Sequence, residues 1–466
     1  MVSDQVQNTT KTELSRNDYA KPKLLEKIGY GAAGGANNVI WTGIASFLVY
    51  FYTDVAGVAA GVIGTIMLFS RFFDGATDVG MGLVLDKTRS RHGKARPWLL
   101  WLAFPFALVA VLLFALPDLG DAGQIVYIVI TYNLALLIYT AVEIPHGTLG
   151  ALLTYDQHQR SVLNVAKMIG AYVAIIAITN ITVPLTELFG GGQSGWVYTF
   201  ILFGAVAAIT YLFTFRTTKE RTESTGVKQR GSTPAIKESL YALIRNKYWI
   251  IATLILLLMY IFNAITAGMA IYFAEYILGS PALVGLVATA LTLATLTGML
   301  FITPIARRFG KRNTAIVGCL IAVVGSLVIM LDPSSTAWVV SGQIIRGFGK
   351  AAVMGLIFAM LADTMEYGEW RTGIRIEGLV YSGASMGIKI GTGLGSAFIG
   401  WGLALSGYVG TQATQTAEAT AMISGMFIWV PAVVSVAMAV LLYFFKLDKQ
   451  YPQIVYELQV THARQT

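Results

Sequence analysis

The chain is poor in charge and almost without cysteine. Asp, Glu, Lys and Arg make up 12% of its 466 residues, against roughly 25% in an ordinary soluble domain. The one cysteine, Cys319, excludes a disulfide framework and a thiolate metal centre. The four histidines, His92, His146, His158 and His462, never take the HxxxH or HExxH spacing of a metallohydrolase, so no metal site is expected. The first 27 residues hold no apolar run of the kind a cleavable signal needs, and none is expected. What is abundant is apolar surface. Hydrophobic residues are 55% of the chain, the composition of a polytopic membrane protein. The formal net charge of +8 then reads as basic loops on one side of a bilayer rather than as a nucleic-acid surface.

Runs of the roughly 20 apolar residues that a span needs recur twelve times. They lie at 28–52, 57–85, 97–116, 124–154, 161–187 and 196–214, then at 248–277, 283–306, 314–331, 337–363, 374–405 and 421–445. The connections 53–57, 116–124, 187–196, 278–283, 332–337 and 406–420 contain no Lys or Arg. The alternate connections are basic: DKTRSRHGKAR (Asp86–Arg96) carries five and RRFGKR (Arg307–Arg312) four. The positive-inside rule places both termini in the cytoplasm of an integral plasma (inner) membrane protein.

Phe215–Lys247 holds eight basic and three acidic residues between the sixth and seventh spans. Its polar part, 222–234, reads as a linker. The part from Ala235 to Lys247 reads either as a short surface helix or as more linker. RHGKAR (Arg91–Arg96) after the second span is echoed by RFGKRN (Arg308–Asn313) after the eighth, which implies two related halves. The expected fold is an all-α membrane protein with twelve transmembrane helices in two pseudo-symmetric six-helix bundles, the major facilitator arrangement. Its parts are a tail (1–27), a bundle (28–214), a linker (215–247), a second bundle (248–445) and a tail (446–466).

Ionisable groups inside spans are costly, and they pair or line wet cavities. In SRFFDGATDVG (Ser70–Gly80), Arg71, Asp74 and Asp78 fall on one helix face. Two carboxylates a turn apart in a partly dry site do not both stay charged without a counterion. A proton, Na⁺ or Li⁺ meets that need, with Thr77 and Thr140 as hydroxyl ligands. Arg71, or Lys389 on the eleventh span, holds the carboxylates when the cation is absent. Glu143, Lys167, Arg346 and Lys350 complete the interior charges, giving five bases against three acids. Arg346 and Lys350 bind an anionic group, or else they snorkel or pair with Glu143. Asp54 and Asp363 fall near span ends, where water reaches. GGANNVIW (Gly34–Trp41) and YTAVEIPHG (Tyr139–Gly147) offer Asn37, Asn38, Trp41, Tyr139 and Glu143 to a polar, hydroxyl-rich substrate. Trp41 fits either a substrate contact or a packing role, and His146 reads as a hydrogen-bonded structural residue.

YFYTDVAGVAAGVIGTIMLFSRFFDGATD (Tyr50–Asp78), TRSRHGKARPW (Thr88–Trp98) and ADTMEYGEWRTGIRIEGLVYS (Ala362–Ser382) resemble the glycoside–pentoside–hexuronide:cation symporter family of the major facilitator superfamily. The resemblance covers nearly the whole chain, and EYGEW…GIRIEGL is most like the glucuronide and xyloside branch. It implies a cation site at Asp74, Asp78, Thr77 and Thr140, and coupling through Arg71 and Lys389. It implies sugar contacts at Glu143 and Lys167, with Met354 and Ser385 completing the substrate set. Departures are also clear. Asn38 stands where the family's galactoside-binding aspartate would be, and Asn37 where a lysine precedes it. Gly147 and Met354 replace two tryptophan walls, and Lys350 has no expected counterpart. The resemblance implies no cofactor beyond a coupling H⁺ or Na⁺, and as partners a small sugar or glycoside, that monovalent cation and the lipid bilayer. The expected function is symport of a glycoside, pentoside or hexuronide; the alternative is a facilitator or exporter of another polar or anionic solute. A membrane enzyme is not expected: the outer connections are short, and only His92 and His158 lie in inner ones.

Overall fold

The computed structural model describes residues 21–221, 236–374, 377–412 and 414–465, and every element among them is helical. Helix α1 (Leu24–Gly43) runs on through two π-helical turns, Ile44–Leu48 and Phe51–Val55. Helix α2 is Ala60–Lys87; α3 (Arg96–Trp101) and α4 (Ala103–Leu112) are one rod interrupted at Leu102. Then follow α5 (Gly120–Leu152), α6 (Gln157–Leu188) and α7 (Gly192–Thr217). The short α8 is Ile236–Ile244. The later long helices are α9 (Lys247–Tyr276), α10 (Val284–Phe309), α11 (Lys311–Leu331), α12 (Thr336–Thr372), α13 (Glu377–Leu405) and α14 (Ala417–Phe444), with α15 at Leu447–Gln465.

Nine of the described helices are long and apolar enough to cross a membrane. With α1, α2 and the α3–α4 rod they make the twelve spans expected. The expected boundaries shift by a few residues, except in α12. It continues from 363 to Thr372, so EYGEWRT extends the helix instead of leaving it. Gly373, at φ +70°, stops it in a left-handed conformation that suits glycine. The part from Ala235 to Lys247 is helical at Ile236–Ile244, and α15 is a helix where only a tail was expected. The polar linker 222–234 lies outside the described residues.

The described residues form two compact units. The first comprises those up to Ile44 and those from Phe73 to Arg221. The second comprises Ala45–Phe72 and those from Ile236 onward, so the end of α1 and the start of α2 pack with the later helices. Small residues allow the close approaches. In the first unit, a β-carbon on Gly170 of α6 would collide with the Gly31 carbonyl of α1. In the second, a β-carbon on Gly400 of α13 would collide with the Ala60 carbonyl of α2, and one on Gly349 of α12 with the Gly318 carbonyl of α11. Backbones this close leave no room for any side chain.

Candidate functional site

In the first unit α2 and α5 bring the carboxylate pair together. Asp74 and Asp78 stand one turn apart on α2. Thr140 of α5 points its hydroxyl at both, 3.3 Å from Asp74 Oδ1 and 3.1 Å from Asp78 Oδ1. Asp74 and Thr140 are buried. One hydroxyl thus faces both carboxylates and ties α5 to the acidic face of α2. Thr77 donates its own hydroxyl to the Asp74 carbonyl at 2.9 Å. Its lone pairs remain, but its donor is spent on its own helix.

A second cluster joins α1, α5, α6 and α7. Glu143 Oε1 receives Lys167 Nζ at 2.6 Å, and its other oxygen receives the amide of Asn37. Asn37 is fixed from both sides: Tyr211 donates to its Oδ1 at 2.6 Å, and His146 Nδ1 lies 3.2 Å from its Nδ2. His146 is fully buried, with Nε2 2.9 Å from the Tyr30 carbonyl and its ring 4.6 Å from that of Tyr30. It is the structural hydrogen-bonded histidine expected, and it orients Asn37. Close packing of α1 on α6 sets the register, because Gly34 faces the Lys167 backbone. Trp41 and Tyr139 stack with centroids 5.4 Å apart. They form an aromatic plate in the same unit, although Gly147 supplies none. Asn38 turns away from this work: its amide donates to the Gly34 carbonyl of its own helix at 2.8 Å.

The remaining expected residues, Arg71, Lys350, Met354, Ser385 and Lys389, belong to the second unit. The aliphatic stem of Arg71 lies against α13, where a β-carbon on Gly393 would be 2.8 Å from Arg71 Cγ, one turn beyond Lys389. Ser385 and Lys389 are spaced i, i+4 on that helix, and Lys350 and Met354 likewise on α12. Arg346 is fully buried and uses its donors within this unit: Ser326 Oγ at 2.9 Å, Gln343 Oε1 at 3.2 Å, and the carbonyls of Phe427 and Ile428 at 3.0 and 3.2 Å. Pro431 has no N–H to give the Phe427 carbonyl four residues earlier, so the arginine takes up that acceptor. Arg346 therefore neither snorkels nor pairs with Glu143. It satisfies a carbonyl that the proline leaves open inside a continuous helix.

Two further groups escaped the sequence reading. Tyr30 and Tyr211 are anchors of the Asn37 cluster, and no local pattern marks them, since Tyr211 is 174 residues from its acceptor. Asp54, expected near water, is half-buried and is also bonded by Tyr276 at 2.9 Å and by Tyr408, while Thr53 bonds Tyr272 at 2.7 Å. Asp363 is likewise not loose in water: it is buried and pairs with Lys311 at 2.5 Å.

Comparison with known proteins gives the family. The chain is 33% identical over 446 residues to the isoprimeverose transporter of Lactiplantibacillus pentosus, covering 94% of this chain and 92% of that protein. It is 34% identical over 443 residues to the putative glycoside/cation symporter YagG of Escherichia coli (strain K12), covering 94% and 95%. Among solved structures, a D-xylose-proton symporter shares the fold, with a TM-score of 0.61 at 16% identity over 92% of this chain and 98% of that one. The model of the MFS/sugar transport protein family matches residues 29–449, and the chain belongs to that family.

Proposed function

We propose that the protein imports a glycoside, pentoside or hexuronide in symport with H⁺ or Na⁺, across a plasma (inner) membrane with both termini in the cytoplasm. The chain is a membrane transporter of a sugar-transport family and not an enzyme. The observation that carries the coupling is the hydroxyl of Thr140 set between the Asp74 and Asp78 carboxylates in the interior of the first unit. A cation or proton bound there lowers the mutual repulsion of the pair. Arg71, three residues before Asp74, and Lys389 are the coupling residues. Asn37, Tyr139, Trp41, Glu143 and Lys167 form the hydroxyl-binding face: a carboxylate and an amide for sugar hydroxyls, and a stacked aromatic pair for the ring face. The relatives named as an isoprimeverose transporter and a glycoside/cation symporter support the same substrate class.

The test is uptake into proteoliposomes with a panel of xylosides, glucuronides and galactosides, imposing the pH gradient and the Na⁺ gradient separately. Accumulation above equilibrium under one gradient supports symport and names the cation. Uptake that equilibrates and ignores both gradients overturns it in favour of a facilitator.

A further inference from the structure

Two bases stand one turn apart in the middle of α12, Arg346 and Lys350, and no acid stands near them on that helix. The next acid along α12, Asp363, is thirteen residues past Lys350. At about 1.5 Å per residue that is roughly 20 Å of helix, and Asp363 is already paired with Lys311.

The two bases differ in kind. The guanidinium of Arg346 is met by neutral acceptors, among them the carbonyl that Pro431 leaves open. The ammonium of Lys350, one turn on, has no hydrogen bond or ion pair among the described residues. Lys350 lines a cavity with Met259, Phe262, Cys319, Val353 and Met438, none of them a charged partner. The one hydroxyl in that lining, Ser435, donates to the Pro431 carbonyl at 2.7 Å. A partly desolvated ammonium among methionines and a phenylalanine is costly unless an anion meets it. The fold invests nothing in meeting it, although it meets Asp363, Glu143 and Arg346 elsewhere.

We propose that Lys350 is a specificity residue, and that the anion it awaits is the carboxylate of the transported glycoside. This rests on the sugar-transport reading above and narrows it. A lysine serves as a point charge, so it reads the acid group without demanding the fixed geometry that an arginine fork imposes. Lys350 shares a helix face with Met354, so the acid group and an apolar part of the substrate meet α12 one turn apart.

The experiment compares a matched pair, 4-nitrophenyl β-D-glucuronide and 4-nitrophenyl β-D-glucoside, which differ only in a carboxylate against a hydroxymethyl group. Full-length protein in proteoliposomes is offered each, as wild type, Lys350→Met and Lys350→Arg. Wild type is expected to prefer the glucuronide. Lys350→Met is expected to lose that preference by on the order of tenfold to a hundredfold, the range for a charge-assisted contact, with glucoside uptake maintained. Lys350→Arg is expected to keep part of it. Retained glucoside uptake shows that Lys350→Met is folded; where that variant is lost altogether, the preference of Lys350→Arg and of wild type decides. Wild type that accumulates the glucoside and ignores the glucuronide overturns the assignment of Lys350 while leaving sugar transport standing. An unchanged preference in Lys350→Met overturns it too. Wild type that accumulates no sugar in the wider panel overturns the transport reading, and this inference with it.

Discussion

Lys167 Nζ lies 2.6 Å from Glu143 Oε1, bridging α6 and α5 inside the first unit. Both side chains are partly exposed, so the pair is as much a presentation device as a stabilising one. Lys167→Met is expected to weaken sugar binding about tenfold, the loss of one charge-assisted contact, and Glu143→Gln by at least as much. The double variant should show a coupling of roughly 0.5–3 kcal/mol, as groups in one network do. Binding titrations on the two single variants and the double variant check this; additive losses would separate the two residues functionally.

The Asp74–Thr140–Asp78 cluster makes a sharper demand. Asp78→Asn or Asp74→Asn removes one charge and leaves the shape nearly intact. Uphill accumulation should vanish in either variant, while exchange of sugar across the membrane at equal concentrations can persist. Uptake under an imposed gradient, set beside equilibrium exchange, checks it. Undiminished accumulation in both variants would remove the pair from coupling.

Asp54 holds the end of α1 to α9 and to the connection after α13, through Tyr276 and Tyr408. Asp54→Ala removes the acceptor that the two hydroxyls share, although Tyr408 keeps the Tyr276 oxygen at 3.1 Å; the loss is about 1 kcal/mol. Lower thermal stability is expected, together with faster modification of a cysteine placed at Ala56. Cys319 is the only native cysteine and is buried, so a Cys319→Ser background reports on the new site alone. Unchanged labelling in Asp54→Ala would show that this end of α1 is held by other contacts.

Gly170 separates packing from function. A methyl group there would run into the Gly31 carbonyl, part of a neighbouring backbone, whereas one on Gly147 meets nothing within 4 Å. Gly170→Ala should destabilise by about 1–3 kcal/mol or force α1 and α6 apart. Gly147→Ala should stay within about 0.5 kcal/mol of wild type. Melting curves in detergent compare the two; equal curves would mean that α1 and α6 tolerate a wider separation.

Much of this protein is local in origin. Spans follow from apolar runs, because backbone polar groups inside a membrane must bond within their own segment. The basic connections follow from composition alone. The Asp74–Asp78 pair is legible because a spacing of four residues on a helix is already a spatial contact. Its Thr140 neighbour is legible as a hydroxyl inside a span, and Lys167 and Glu143 through the cost of an interior charge. Other assignments need the fold. Asn37 is aimed by Tyr211 and His146, each more than a hundred residues away. Asp54 reads as a wet span end in sequence, yet aromatic hydroxyls from α9 and the 406–416 connection close over it. Arg346 and Lys350 are alike in sequence, two bases one turn apart. What separates them is Pro431 on α14, whose missing N–H frees a carbonyl for Arg346 and not for Lys350. Charge and helical spacing are written residue by residue, and so the sequence determines which groups enter the interior. Whether a buried group is satisfied depends on acceptors brought from distant helices, and only the tertiary structure decides that.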